Sequence, residues 1–118
     1  MTDGYLAGSH LRLVIAPEPA LLSVARGFVS SVFQVCNQPP QLVDDARLAV
    51  SELLTVLVLA EVGPLDLAIT EDGGDLVVSI SAPSLPALTS QTVELVEQLA
   101  PGGLEREQGR YLLRFPRK

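Results

Sequence analysis

Apolar residues recur along this chain with two different periods, and the change of period marks the elements. In the stretch His10–Ala16, Leu11, Leu13 and Ile15 alternate, which predicts a first strand. Pro17 and Pro19 follow, and proline suits a first helical turn. From there Leu21, Val24, Ala25, Phe28, Val29, Val32 and Phe33 are spaced by threes and fours, so an amphipathic helix is expected to about Val35. Asn37-Gln38-Pro39-Pro40 stops it and opens a second helix to about Ala60, carried by Leu42, Val43, Ala46, Ala49, Val50, Leu53 and Leu54. Gly63-Pro64 breaks that helix. Leu65, Leu67 and Ile69 return to a period of two, and Leu76–Ala82 answers them across the Glu71–Asp75 turn with its two glycines. Pro83-Ser84-Leu85-Pro86 reads as a loop, Ser90–Ala100 as a third helix stopped by Pro101-Gly102-Gly103, and Tyr111–Phe115 as a closing strand. Few strands and several amphipathic helices predict an α+β two-layer sandwich, with a mixed, mostly antiparallel sheet covered by helices on one face.

Composition narrows the reading. The 118 residues are one domain's worth, and 47% of them are hydrophobic, which excludes a globally disordered chain. Residues 1–9 are mostly small or polar and are expected to be flexible. The net charge of −6 opposes a role in tracking nucleic-acid phosphates. One cysteine, Cys36, and one histidine, His10, exclude an intramolecular disulfide and argue against a structural zinc site. Cys36 is expected to be an inert buried thiol at a helix end. His10 reads as a strand-edge residue. The N-terminus lacks the basic and apolar regions of a secretory signal. The apolar run Leu53–Ala60 is too short to cross a bilayer, so neither a membrane nor a nucleic acid is expected as a partner and the location is expected to be cytoplasmic.

Residues 44–55 read Asp-Asp-Ala-Arg-Leu-Ala-Val-Ser-Glu-Leu-Leu-Thr. This string resembles the anti-sigma-factor serine kinases of the GHKL (histidine-kinase-like) ATPase superfamily, whose long helix has the form D-D-x-R-L-A-V-S-E-L-x-T-N. The Ala25-Arg26 step and the order of hairpin, helix and final strand also resemble that family, so the likeness covers roughly residues 10–115. It implies the histidine-kinase-like ATPase fold. It also implies a nucleotide site in which the helix Glu is a general base or orienter and an Asn four residues on is a Mg²⁺ ligand.

Glu52 and Thr55 match that pattern, but the Asn position holds Val56, which has no lone pair for a metal, and a further family position holds Ala60. The family's D-x-G-x-G element, whose Asp accepts from the adenine amino group, aligns with Ser81-Ala82-Pro83-Ser84-Leu85-Pro86. The Asp position falls on Ser81 or Ala82, with no glycine after it, and the prolines fill space that glycine leaves open. The Gly-rich phosphate loop before the last helix is matched by Ala87–Thr92, again without glycine. Losing the Mg²⁺ ligand and the adenine-reading Asp each costs on the order of a few kcal/mol of binding.

The resemblance therefore implies a degenerate member: a non-catalytic, anti-sigma-factor-like regulator that binds a sigma factor or another regulator by sequestration. In this reading Glu52 is a relic, the pocket formed by Glu52, Val56, Ser81, Ala82 and Pro83 is vestigial, and no cofactor or metal is bound. The alternative is an active ATP-dependent serine kinase with divergent motifs, and only then are ATP and Mg²⁺ cofactors. Arg26 is the candidate for partner contact, against its reading as an ordinary exposed arginine. Homodimerisation is compatible with the pairing of the kinases this chain resembles and with a first strand that offers an edge. Gly102-Gly103 follows a helix and is read as a helix stop, not a phosphate loop. The basic residues Arg106, Arg110, Arg114, Arg117 and Lys118 alternate with Glu105 and Glu107 and are read as a solvated face.

Overall fold

The computed structural model describes residues 11–118. The expectations for His10 and residues 1–9 lie outside the described residues. The elements are β1 (Leu11–Ile15), a 3-10 turn (Pro19–Leu21), α1 (Leu22–Val35), α2 (Pro40–Leu59), β2 (Leu65–Asp72), β3 (Asp75–Ser81), α3 (Ser90–Leu99), β4 (Leu104–Glu107) and β5 (Arg110–Pro116). The strands form one sheet in the order β1-β2-β3-β5-β4.

Every neighbouring pair in that sheet is antiparallel, so the expected mixed sheet is corrected to an antiparallel one. The reason lies in β4, which the periodicity did not reveal. The single crossover through α3 makes β4 run parallel to β3, but β5 folds back from β4 and slots between them. β4 carries one apolar residue in four and lies largely in water, so it has no hydrophobic alternation to read. Its signal is the two-residue Gln108-Gly109 loop, where Gly109 holds φ +79°.

One face of the sheet is buried beneath the helices. The register aligns Leu67 with Ile80 and Ile80 with Tyr111, and likewise Ile69 with Val78 and Leu113. From above come Ala25, Val29, Val32 and Phe33 of α1, Ala46, Ala49, Val50, Leu53, Leu54 and Leu57 of α2, and Val96 of α3. Phe33 meets Phe115 edge to face, with ring centroids 5.4 Å apart. The opposite face carries Ala68, Thr70, Ser79 and Leu112, as an antiparallel sheet with one wet side permits.

The helix ends follow from local chemistry. Pro40 opens α2 at the position where its missing N–H costs nothing. Asn37 takes the left-handed conformation (φ 59°) between α1 and α2. Gln38 is buried there. Its Nε2 donates to the Cys36 carbonyl at 2.8 Å, and its Oε1 accepts from the Lys118 N–H at 2.8 Å. The end of the chain is thus tied to the α1–α2 junction. Glu61 (φ 51°) and Gly63 (φ 93°) turn the chain out of α2. Thr89 caps α3 by accepting from the Thr92 N–H at 3.1 Å.

Candidate functional site

α2 presents Glu52 to solvent and holds Val56 half-buried. Thr55 satisfies its hydroxyl locally by donating to the Ser51 carbonyl at 2.8 Å. Ser81 ends β3, where it pairs across the sheet with Asp66 and with Arg110. With Ala82 and Pro83 it lines a shallow hollow of about 290 Å³, completed by Arg12, Val14, Pro64 and Asp66. Neither Glu52 nor Val56 lines that hollow. Ser81, Ala82 and Pro83 thus share one hollow, and its lining does not include the two α2 residues. Pro83 also packs on the chain leaving α2: a Cβ added to Gly63 would lie 3.1 Å from its Cγ.

The segment between β3 and α3 is pinned down. The Tyr111 hydroxyl donates to the Pro86 carbonyl, and Arg106 donates to the Leu85 carbonyl at 3.0 Å. The Arg106 guanidinium lies 5.5 Å from the centre of the Tyr111 ring. Beneath this strap Ala87, Leu88, Val93 and Leu104 line an open cleft of about 350 Å³ with Arg106 and Tyr111. Gly102 has a structural task. Its N–H donates to the Arg114 carbonyl at 2.9 Å, and Gly103 takes φ +99°. The glycine pair thus lets the chain leave α3 and close against β5.

The basic C-terminal residues are largely compensated. Arg110 meets Glu107 at 2.9 Å, Arg117 meets Glu71 at 2.6 Å, and Arg114 lies between Glu105 and Asp72 at 3.1 and 3.0 Å. The hydrogen bonds that Arg114 donates to Asp72 and Glu105 hold it above its ordinary pKa. Cys36 is buried and free at the end of α1. Burial pushes its thiol up, the charge of Glu71 adds to that, and Arg117 opposes it.

A different region gathers polar chemistry on the outer side of α1 and α2. Arg26 Nη1 donates to Ser51 Oγ at 3.1 Å, across the two helices. A groove of about 640 Å³ runs there, lined by Arg26, Gly27, Ser30, Arg47, Leu48 and Ser51 among others. Arg47 is paired with Asp44 at 3.1 Å. Among the described residues Arg26 is the one arginine bonded to neither a carboxylate nor a carbonyl oxygen. Ser30 Oγ is buried at the groove without a hydrogen-bond partner. Sequence reasoning singled out Arg26 but missed Ser30, Arg47, Leu48 and Ser51. The spacing of Arg47 and Ser51, four apart on one helix face, was the available signal.

Among the described residues no group of three or more His, Cys, Asp or Glu side chains is placed to hold a metal ion, and no helix is long and apolar enough to cross a membrane. No known family model matches the chain, and no curated protein sequence matches it.

Proposed function

We propose that this chain is a non-catalytic regulator that binds a protein partner by sequestration, built on a degenerate histidine-kinase-like ATPase fold and anti-sigma-factor-like in its action. The observation that carries this reading is the state of the nucleotide positions. Val56 offers no metal ligand, and Ser81, Ala82 and Pro83 line a shallow hollow that excludes both Val56 and Glu52. The strap from Leu85 to Pro86, which would have to accommodate a nucleotide, is bonded to Arg106 and Tyr111. A base with no bound substrate has no proton to take, so Glu52 is a relic.

The partner surface in this reading is the α1–α2 groove around Arg26. A guanidinium held, among the described residues, by a serine hydroxyl alone keeps most of its donors for an incoming carboxylate, and a charge-assisted pair of that kind is strong and directional. The partner is a sigma factor or another regulator that presents an acidic side chain.

Calorimetric titration with Mg-ATP tests the first half of the proposal. No heat beyond dilution is expected, and binding at micromolar affinity overturns it. Such binding accompanied by phosphate transfer to a serine of a partner would instead support an active kinase. Titration with a sigma factor tests the second half: Arg26→Glu should weaken binding by at least tenfold, and equal binding by both proteins removes Arg26 from the interface.

A further inference from the structure

Along β4 the charges divide between the two sides of the sheet. Glu105 stands beside Leu112 and Glu107 beside Arg110, so both carboxylates lie on the open side, where they meet Arg114 and Arg110. Leu104 stands beside Leu113 and Arg106 beside Tyr111, and Tyr111 and Leu113 belong to the buried core. Arg106 is therefore a cation on the helix-covered side. The short length of β4 and its two glutamates already guard this edge of the sheet. Arg12, Arg47, Arg110, Arg114 and Arg117 each meet a carboxylate, whereas among the described residues Arg106 meets none.

Arg106 stands at the cleft between the β4–β5 hairpin and the segment that enters α3. Ala87, Leu88, Val93 and Leu104 give that cleft an apolar lining, Tyr111 completes it, and its volume is about 350 Å³. This is the small end of the range for ligand pockets, about 300–1,000 Å³. No acidic side chain is among the lining residues. The guanidinium is held from two directions. Its Nη2 donates to the Leu85 carbonyl at 3.0 Å, and the centre of the Tyr111 ring lies 5.5 Å away. Those contacts fix its orientation in advance and leave most of its N–H donors for a ligand. The Tyr111 hydroxyl is committed to the Pro86 carbonyl, so what the tyrosine offers the cleft is its ring.

We propose that this cleft binds a small monocarboxylate with an apolar body, an aryl or branched aliphatic acid. The carboxylate pairs with Arg106 in the forked geometry that a guanidinium favours. The body rests on Leu88, Val93 and Leu104 and leaves water. One cation among apolar walls matches one negative charge. A phosphate dianion would bring a second charge that no lining residue meets, and the apolar walls would strip its water without replacing it. The cleft thus differs in chemistry from a nucleotide site, although Ala87 and Leu88 fall where the resemblance sets a phosphate loop. It uses neither Glu52 and Val56 nor the Arg26 groove, so it stands or falls separately from the sequestration reading.

Titration of the full chain with phenylacetate and with isocaproate, followed by heteronuclear NMR of the backbone amides, tests it. Shifts are expected at Leu88, Val93, Leu104 and Arg106, saturating with a Kd of about 1 mM or tighter for at least one of the two acids. The neutral amide of that acid has the same apolar body and should bind about tenfold more weakly or worse. Arg106→Gln leaves the apolar lining in place and should abolish the preference, so that acid and amide bind equally weakly. Circular dichroism checks that this variant folds, as expected for an exposed side chain. The comparison of acid with amide on the parent chain needs no variant. Absence of saturable shifts at the cleft with either acid up to about 10 mM overturns the proposal. Equal affinity of the parent chain for acid and amide overturns it too, as does an undiminished preference for the acid in Arg106→Gln.

Discussion

Gly102→Ala tests whether the Gly102-Gly103 pair is structural. A Cβ at position 102 would lie 2.6 Å from Arg114 Cβ, 2.7 Å from the Arg114 carbonyl oxygen and 2.9 Å from its carbonyl carbon. None of these atoms is the far end of a flexible side chain. They belong to β5, which is paired with β3 on one side and β4 on the other, so relief requires the strand or the α3–β4 connection to move. Overpacking of this kind costs about 1–3 kcal/mol. Distorting the Gly102 N–H bond to the Arg114 carbonyl adds about 0.5–1.5 kcal/mol. A destabilisation of about 2–4 kcal/mol is therefore expected. At roughly 4–8 °C per kcal/mol in a domain of about 100 residues, Tm falls by roughly 8–32 °C. Urea unfolding followed by circular dichroism should show a lowered midpoint at unchanged slope. Gly74→Ala, where a Cβ meets nothing within 4 Å, is the control and should be close to neutral. A Gly102→Ala protein within about 0.5 kcal/mol of the parent would refute the close approach as the reason for glycine there.

Three further outcomes follow from the same structure. Gly27 lies within α1 with open space where its Cβ would be, so Gly27→Ala should stabilise by about 0.5–1 kcal/mol in the same urea assay. Phe33 is fully buried against Phe115, so Phe33→Ala should cost about 3–5 kcal/mol. The Cys36 thiol is raised above its ordinary value of 9.0, so the folded state favours its protonated form. That contribution is complete below the unfolded pKa and is lost as pH rises through the higher folded one. Stability should therefore decline in the alkaline range, above about pH 9. The decline should be smaller in Cys36→Ala, measured as urea midpoints across pH. At neutral pH a thiol reagent should label Cys36 only as fast as the chain opens.

The departures from the pattern this chain resembles are legible in the sequence because they are local chemistry. Val56 cannot bind magnesium wherever it sits, and Pro83 cannot do what glycine does. Legibility stops at the Arg26 groove. Arg26 and Ser51 are 25 residues apart, and only the packing of α1 on α2 brings them within 3.1 Å. The pinning of the Leu85–Pro86 strap has the same character, since Arg106 and Tyr111 come from a hairpin whose first strand has no hydrophobic alternation.

From the sequence alone came the elements whose apolar spacing is continuous: α1, α2, α3, the β2–β3 hairpin, and β1 and β5. Burial of one stripe or one face leaves a period in the chain that needs no partner to be read. The order of strands, the all-antiparallel sheet and the identity of its edges came from tertiary structure. Insertion of β5 between β3 and β4 is a choice among ways of covering the same apolar faces, and that choice is made by packing between segments far apart in the chain. Which charges are neutralised was decided there too. Arg12 finds Asp66 54 residues away, while Arg26 finds, among the described residues, a serine and no carboxylate, because ion pairing depends on distance in space and not on distance along the chain.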